Sequence, residues 1–249
     1  MTQKAERAAR IFADLRAQGA ATNSLPAEIS PASLAEAYAI QDMTGRAEGV
    51  HGWKVGPAKP GETEPRCAIL LGPAPLSSPA RIAAAALPRG MVELEIGFTF
   101  AHDVAPDADR QAVISAIGTA HLALEILNPR FAKGAAIGDF DGVADHQSNF
   151  GIVVGAGRSD WSGLTLETLD MSLTLDGEAR QVSTAMLGLK PTLDLVVWLA
   201  AHARSRGFPF RAGTIVITGA RLGPFDLAGL RRIEGSAQGF APVSLELIS

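Results

Sequence analysis

The 249-residue chain is long enough to bury a substantial core, as one large domain or two small ones. Its formal charge of −4, with no basic cluster, argues against nucleic acid or an anionic membrane as the main partner. Cys67 is the only cysteine, which excludes an internal disulfide and a cysteine-based zinc site. Met1–Arg10 is charged and lacks the apolar segment of a secretory signal, and the longest apolar run, around Val196–Ala201, is far short of a bilayer span. A reducing cytoplasm is the expected compartment.

Residues 4 to 18 read as a helix, with Ala8, Ile11, Phe12 and Leu15 on one stripe and Gly19 just past its end. A second helix is expected to start at Ser30-Pro31, Ser30 capping and Pro31 in the first turn, and to stop at Gly49. His51–Gly56 reads as a short strand holding Lys54 between Trp53 and Val55, as an edge-strand charge or as a site residue. Residues 57 to 90 are rich in Pro, Gly and Ala, as loops and short extended pieces are.

Met91–Phe100 carries the clearest pattern in the chain. Val92, Leu94, Ile96, Phe98 and Phe100 are large and apolar, while Glu93, Glu95, Gly97 and Thr99 alternate with them. A period of two predicts a strand with one face in the core and both carboxylates on the other. Two residues along a strand is roughly 6–7 Å, close enough for the two acids to raise each other's pKa unless a cation lies between them. After a short helix from Asp109 to about Gly118, Ala120–Leu127 repeats the pattern and puts Glu125 on one face with His121 and Ala123. The three glutamates are either the solvent faces of antiparallel strands or an oxygen-ligand site for Mg²⁺ or Mn²⁺.

Asn128–Asn149 is the longest irregular stretch, with three glycines, Asp139, Asp141, Asp145 and His146, and reads as a mobile lid. Strand signals return at Phe150–Gly155, and Asp176-Gly177 predicts a hairpin between Met171–Leu175 and Ala179–Thr184. Pro191–Arg206 is the clearest helix, and Thr214–Thr218, Leu230–Glu234 and Pro242–Ile248 read as closing strands. Gly155-Ala156-Gly157 fails as a dinucleotide fingerprint because Asp160 stands at the last glycine position. No P-loop, G-x-S-x-G or H-E-x-x-H is present, and His51, His102, His121, His146 and His202 do not pair at ligand spacing.

The order Gly52-Trp53-Lys54-Val55-Gly56, Val92-Glu93-Leu94-Glu95-Ile96, Leu124-Glu125-Ile126, Val143-Ala144-Asp145, Gly188-Leu189-Lys190-Pro191 and Ala212–Gly219 resembles the fumarylacetoacetate hydrolase superfamily. Within it the chain looks most like the 2-oxopent-4-enoate hydratases and 2-oxo-3-hexenedioate decarboxylases. The resemblance implies an α+β fold with a mixed β-roll core and surrounding helices. A single domain is expected over residues 1–249, with 1–50 an N-terminal helical segment packed on a catalytic core of 51–249. One Mg²⁺ or Mn²⁺ per chain is implied on Glu93, Glu95 and Glu125. The resemblance further implies catalytic roles for Lys54, Asp145 and His146, substrate contacts from Lys54, Lys190 and Thr218, and a homo-oligomer.

The activity so implied is a hydratase acting on a small 2-oxo or 2-hydroxydienoate acid in aromatic-compound degradation. Decarboxylation of 2-oxo-3-hexenedioate, hydrolysis of an acylpyruvate and non-catalytic binding of a small carboxylate are the alternatives. The family pattern has Asp-Asn where this chain has Asp145-His146, Asn or His where it has Lys190, and Ser-Gly where it has Thr218-Gly219. A second ammonium from Lys190 would favour a dicarboxylate substrate.

Overall fold

The computed structural model describes residues 3–70, 74–183 and 187–249. Two helices open the chain, α1 (Gln3–Gln18) and α2 (Leu34–Glu48). The second begins later than the Ser30-Pro31 signal suggests. Ser33 is its N-cap, accepting from the Glu36 N–H at 3.2 Å, while the Ser30 hydroxyl donates to Asp141 Oδ1 at 2.7 Å. Gly49 ends the helix as expected, with φ 91°.

Strands follow at β1 (Gly52–Gly56), β2 (Arg66–Leu70), β3 (Leu76–Ser77) and β4 (Ala80–Ala83), then β5 (Met91–Phe100). Helix α3 (Arg110–Ser115) leads into β6 (Ile117–Leu127), and the short α4 (Asp141–Ala144) precedes β7 (Asn149–Val154). The hairpin β8 (Met171–Leu175) and β9 (Glu178–Ser183) turns at Asp176-Gly177, both with positive φ; Thr184 lies outside the described residues. Helix α5 (Leu189–Ser205) and strands β10 (Ile215–Ile217), β11 (Leu222–Asp226), β12 (Arg232–Ala237) and β13 (Val243–Ile248) complete the chain. Among the described residues no helix is long and apolar enough to cross a membrane.

Two sheets with helices around them result, the α+β arrangement expected. The larger runs β2-β1-β10-β5-β6-β7-β3, with β11 also on β5; the smaller runs β4-β13-β12-β8-β9. The apolar even face of β5 is buried throughout, Phe98 meeting Trp161 edge-on at 5.7 Å and Phe100 meeting Phe210 at 4.9 Å. The smaller sheet comes close over this face: a Cβ at Gly235 of β12 would fall 2.4 Å from Leu94 Cδ1. Slipping β5 by one residue would expose five large apolar side chains, a loss on the order of 10 kcal/mol, and would bury Glu93 in their place. That penalty holds the carboxylates on the opposite face.

The segment from Asn128 to Asn149 is more structured than its composition suggests. It contains α4, and buried Arg130, Asp141 and Asp145 tie it down from within.

Candidate metal centre

Strands β5 and β6 pair antiparallel with Glu93 opposite Glu125 and Glu95 opposite Ala123. All three glutamates therefore share one sheet face, and one carboxylate oxygen from each lies within 4.8 Å of the others. On its outer edge β5 changes partner at this point. β10 covers Gly97–Thr99, β11 covers Met91–Leu94, and the chain between them turns away opposite Glu95. That turn needs φ 91° at Gly219, the left-handed region glycine enters without strain, and it aims the Gly219 N–H at Glu95 Oε2, 2.7 Å away.

Lys54 arrives from β1, on the far side of β10. Its neighbours Trp53 and Val55 point into the core, so the alternation of the strand sends Lys54 to the carboxylates. Nζ lies 2.7 Å from Glu125 Oε1 and 2.6 Å from Oε2. Glu125 Oε1 also accepts from Asn149 Nδ2 at 2.8 Å. The carboxylate acceptor sets the orientation of that amide, because its nitrogen must face Glu125. A cleft of about 280 Å³ opens here, lined by Lys54, Glu93, Glu95, Leu127, Gln147 and Gly219.

The electrostatics are those of a site short of positive charge. Burial raises the Glu95 pKa well above the usual carboxylate range, and the Glu125 charge raises it further against the pull of Lys54. Glu93 is pushed up to about 7, by burial first, with Lys54 lowering it and Glu125 raising it. Burial alone would push the Lys54 ammonium down, but Glu125, Glu95 and Glu93 together outweigh it and hold its pKa raised. Glu95 Oε1 is buried with no hydrogen-bond partner. An orphaned anionic oxygen is costly in a low-dielectric setting unless a cation neutralises it. Three hard oxygen donors around that atom suit Mg²⁺ or Mn²⁺, so the residues present fit the ion.

The other residues singled out from sequence stand elsewhere. Asp145 is fully buried and paired with Arg130, Nε to Oδ1 2.5 Å, with the Arg130 N–H on Oδ2 at 3.2 Å. His146 donates from Nδ1 to the Ile69 carbonyl at 3.1 Å, and burial holds its pKa well below the ordinary value. Lys190, at 81% side-chain exposure, binds Asp194 at 3.1 Å on the outside of α5 and adds no charge to the cleft. The Thr218 hydroxyl is buried and donates to the Ile96 carbonyl at 2.7 Å; its neighbour Gly219 makes the contact with Glu95. His121 is held by Thr99 and Thr119 at Nε2 and by the Gly155 carbonyl at Nδ1.

Two residues of the site carry no signal in the sequence pattern, Asn149 and Gln147. Gln147 is the middle of three consecutive non-glycine residues, His146 to Ser148, with φ between 50° and 66°. Such a run costs on the order of 1–3 kcal/mol per residue and is found where surrounding contacts impose it. Here the Arg130–Asp145 pair and the Ser148 N–H on the Asp145 carbonyl, 2.9 Å, impose it. The result is that Gln147 lines the cleft.

No family model matches the chain. A 2-keto-4-pentenoate hydratase of Paraburkholderia phymatum is 33% identical over 76% of this chain and 76% of its own length. One of Paraburkholderia xenovorans is 36% identical over 53% of this chain, a match that spans 49% of that relative, about half its length. Among solved structures, 4-oxalocrotonate decarboxylase from Pseudomonas putida G7, complexed with magnesium and adipate, superposes with a TM-score of 0.85 at 22% identity, covering 100% of this chain and 99% of that one. Fumarylpyruvate hydrolase from Pseudomonas aeruginosa, in complex with Mn²⁺ and pyruvate, gives 0.54 at 13% identity, covering 79% and 88%. The chain belongs to the family of the 2-keto-4-pentenoate hydratases, and it shares the fold of 4-oxalocrotonate decarboxylase and fumarylpyruvate hydrolase.

Proposed function

We propose that the protein is a metal-dependent hydro-lyase that adds water to 2-hydroxypenta-2,4-dienoate through its 2-oxo tautomer. The observation that carries this reading is the convergence of three carboxylate oxygens within 4.8 Å beside a buried lysine. The hydratase relatives, at 30% identity or more over about three quarters of their length, support it. Glu93, Glu95 and Glu125 would hold one Mg²⁺ or Mn²⁺. When bound, that cation supplies Lewis-acid stabilisation of the negative charge that develops on the 2-oxo group.

The remaining work falls to the protein's own groups. Lys54 Nζ is the proton-bearing atom nearest the cleft's carboxylates, poised either to clamp the substrate carboxylate or to deliver a proton to carbon as the dienol becomes the enone. Gln147 offers an amide donor and acceptor at the cleft wall, and Gly219 keeps Glu95 oriented. In balance, the enol O–H proton is lost and a proton is added at C5, which gives the 2-oxo-3-enoate; one water then adds across its C3–C4 double bond, hydroxyl to C4 and proton to C3.

Decarboxylation of a dicarboxylic 2-oxo acid draws on the same charge stabilisation. It would gain from a second cation near the cleft, and Lys190 is engaged with Asp194 instead. The test follows the near-ultraviolet absorbance of 2-hydroxypenta-2,4-dienoate with Mg²⁺ or Mn²⁺ present. Its loss, with appearance of 4-hydroxy-2-oxopentanoate and abolished by Glu93→Gln, is expected. Turnover of 2-oxo-3-hexenedioate or an acylpyruvate in its place would overturn the reaction. Metal-dependent binding of oxalate without turnover of any of the three would make the protein a binder.

A further inference from the structure

Alongside the metal cleft lies a second cavity of about 570 Å³, lined among others by Met91, Pro129, Phe131, Ala132, Ile137 and Ser148. The two adjoin through the fold itself. Met91 and Glu93 occupy the same face of β5, two residues and roughly 6–7 Å apart. Met91 pairs with Leu127, which lines the metal cleft, and the consecutive residues Gln147 and Ser148 line one cavity each. A chain anchored at the carboxylates and running along this face therefore heads toward the second cavity.

The lining of that cavity is mainly apolar, and Ile137 on its wall is the one exposed large hydrophobic side chain among the described residues. A concave surface lined mainly by apolar side chains is the kind of site that covers an apolar ligand, and Ile137 lies on its wall. Charged groups stand at its border. Arg89 is occupied by the carbonyls of Pro129 and Ala20, at 2.7 Å and 2.8 Å, Asp226 accepts from the Ala228 N–H at 2.8 Å, and Lys133 is exposed.

We infer that the cavity between Met91 and Ile137 is a distal subsite for the apolar tail of the substrate, so that the preferred 2-oxo acids are longer than five carbons. This rests on the hydro-lyase reading above. A five-carbon acid held at the glutamates would leave the second cavity unfilled, whereas an alkyl or alkenyl tail extending the dienoate would be removed from water there. Each methylene so buried is worth up to about fourfold in affinity.

The experiment has two arms on the full chain with Mg²⁺. Isothermal titration compares 2-oxopentanoate with 2-oxononanoate, and steady-state kinetics compare 2-hydroxypenta-2,4-dienoate with 2-hydroxynona-2,4-dienoate. The nine-carbon compound is expected to bind at least about tenfold more tightly and to show a correspondingly higher kcat/KM. In Ile137→Asp, a surface change, the ratio of long-chain to short-chain binding should fall at least about threefold. Equal binding of both acids would overturn the subsite and leave the hydro-lyase reading standing. So would a change of oligomeric state in Ile137→Asp with no chain-length effect, which would assign the face to a second copy. If neither 2-oxo acid binds, the underlying reading fails and the subsite with it.

Discussion

Lys54 grips both oxygens of Glu125, at 2.7 Å and 2.6 Å, with each side chain buried. The ammonium thus sits on a carboxylate that a divalent cation would also use, and the two compete for it. Lys54→Met should leave Mn²⁺ affinity equal to or tighter than wild type while lowering turnover at saturating substrate at least about 100-fold, the scale of a lost proton-transfer group. Titration calorimetry and steady-state kinetics on the same variant check this. A loss confined to substrate affinity, with the saturated rate preserved, would make Lys54 a carboxylate clamp only.

Asn149 positions Glu125 from the side opposite Lys54, through a 2.8 Å hydrogen bond made wholly within the protein. Partners that orient a metal ligand typically contribute about 10–100-fold in affinity. Asn149→Leu, close in volume, is expected to weaken Mn²⁺ binding about tenfold with little change in thermal midpoint. Unchanged affinity would mean that Lys54 alone orients Glu125.

The Arg130–Asp145 pair is the buried ion pair that shapes the 146–148 turn. Removing one partner from such a pair strands the other charge, at about 3–5 kcal/mol. Arg130→Met should lower the urea unfolding free energy by roughly that amount, and Asp145→Asn should also destabilise. If Asp145→Asn kept full stability and lost turnover alone, Asp145 would be a catalytic group after all.

Acid sensitivity should arise in part from His202, stacked on Trp198 at 4.7 Å and edge-on to Tyr38 at 4.9 Å. Burial first, and then the nearby Arg206 charge, push its pKa down to about 4, below the ordinary 6.5. With the folded pKa lowered, the unfolded chain binds more protons between those values. Stability is then lost as pH falls from about 6.5 to about 4, and the contribution is constant below that. His202→Phe removes the titration and keeps the stacking. The difference in unfolding free energy between wild type and this variant should change across that window; parallel curves would contradict the assignment.

What the sequence reveals tracks how local the determining forces are. The alternation in β5 and β6 is local, and by itself it assigns Glu93 and Glu95 to one strand face and Glu125 to the non-core face of its own strand. Lys54 between Trp53 and Val55 is legible for the same reason. Asp145 reads as a site residue because nothing nearby in the chain reveals that Arg130, fifteen residues earlier, claims its carboxylate. Lys190 reads as a pocket residue, yet α5 presents it to Asp194 one turn on. Asn149 escapes a sequence reading because its contribution depends on a strand end, and the contact of Gly219 with Glu95 depends on the partner change of β5, both tertiary events. The cap of α2 falls at Ser33 rather than Ser30 because Ser30 is drawn to Asp141 across the fold.

The central claim is that Glu93, Glu95 and Glu125 together hold one divalent cation. Titration calorimetry with Mn²⁺ on wild type, Glu93→Gln and Glu125→Gln tests it most directly, with circular dichroism confirming that each variant is folded. One Mn²⁺ per chain is predicted for wild type, with each substitution weakening binding by at least about tenfold. Equal Mn²⁺ affinity in wild type and both folded variants would contradict the account.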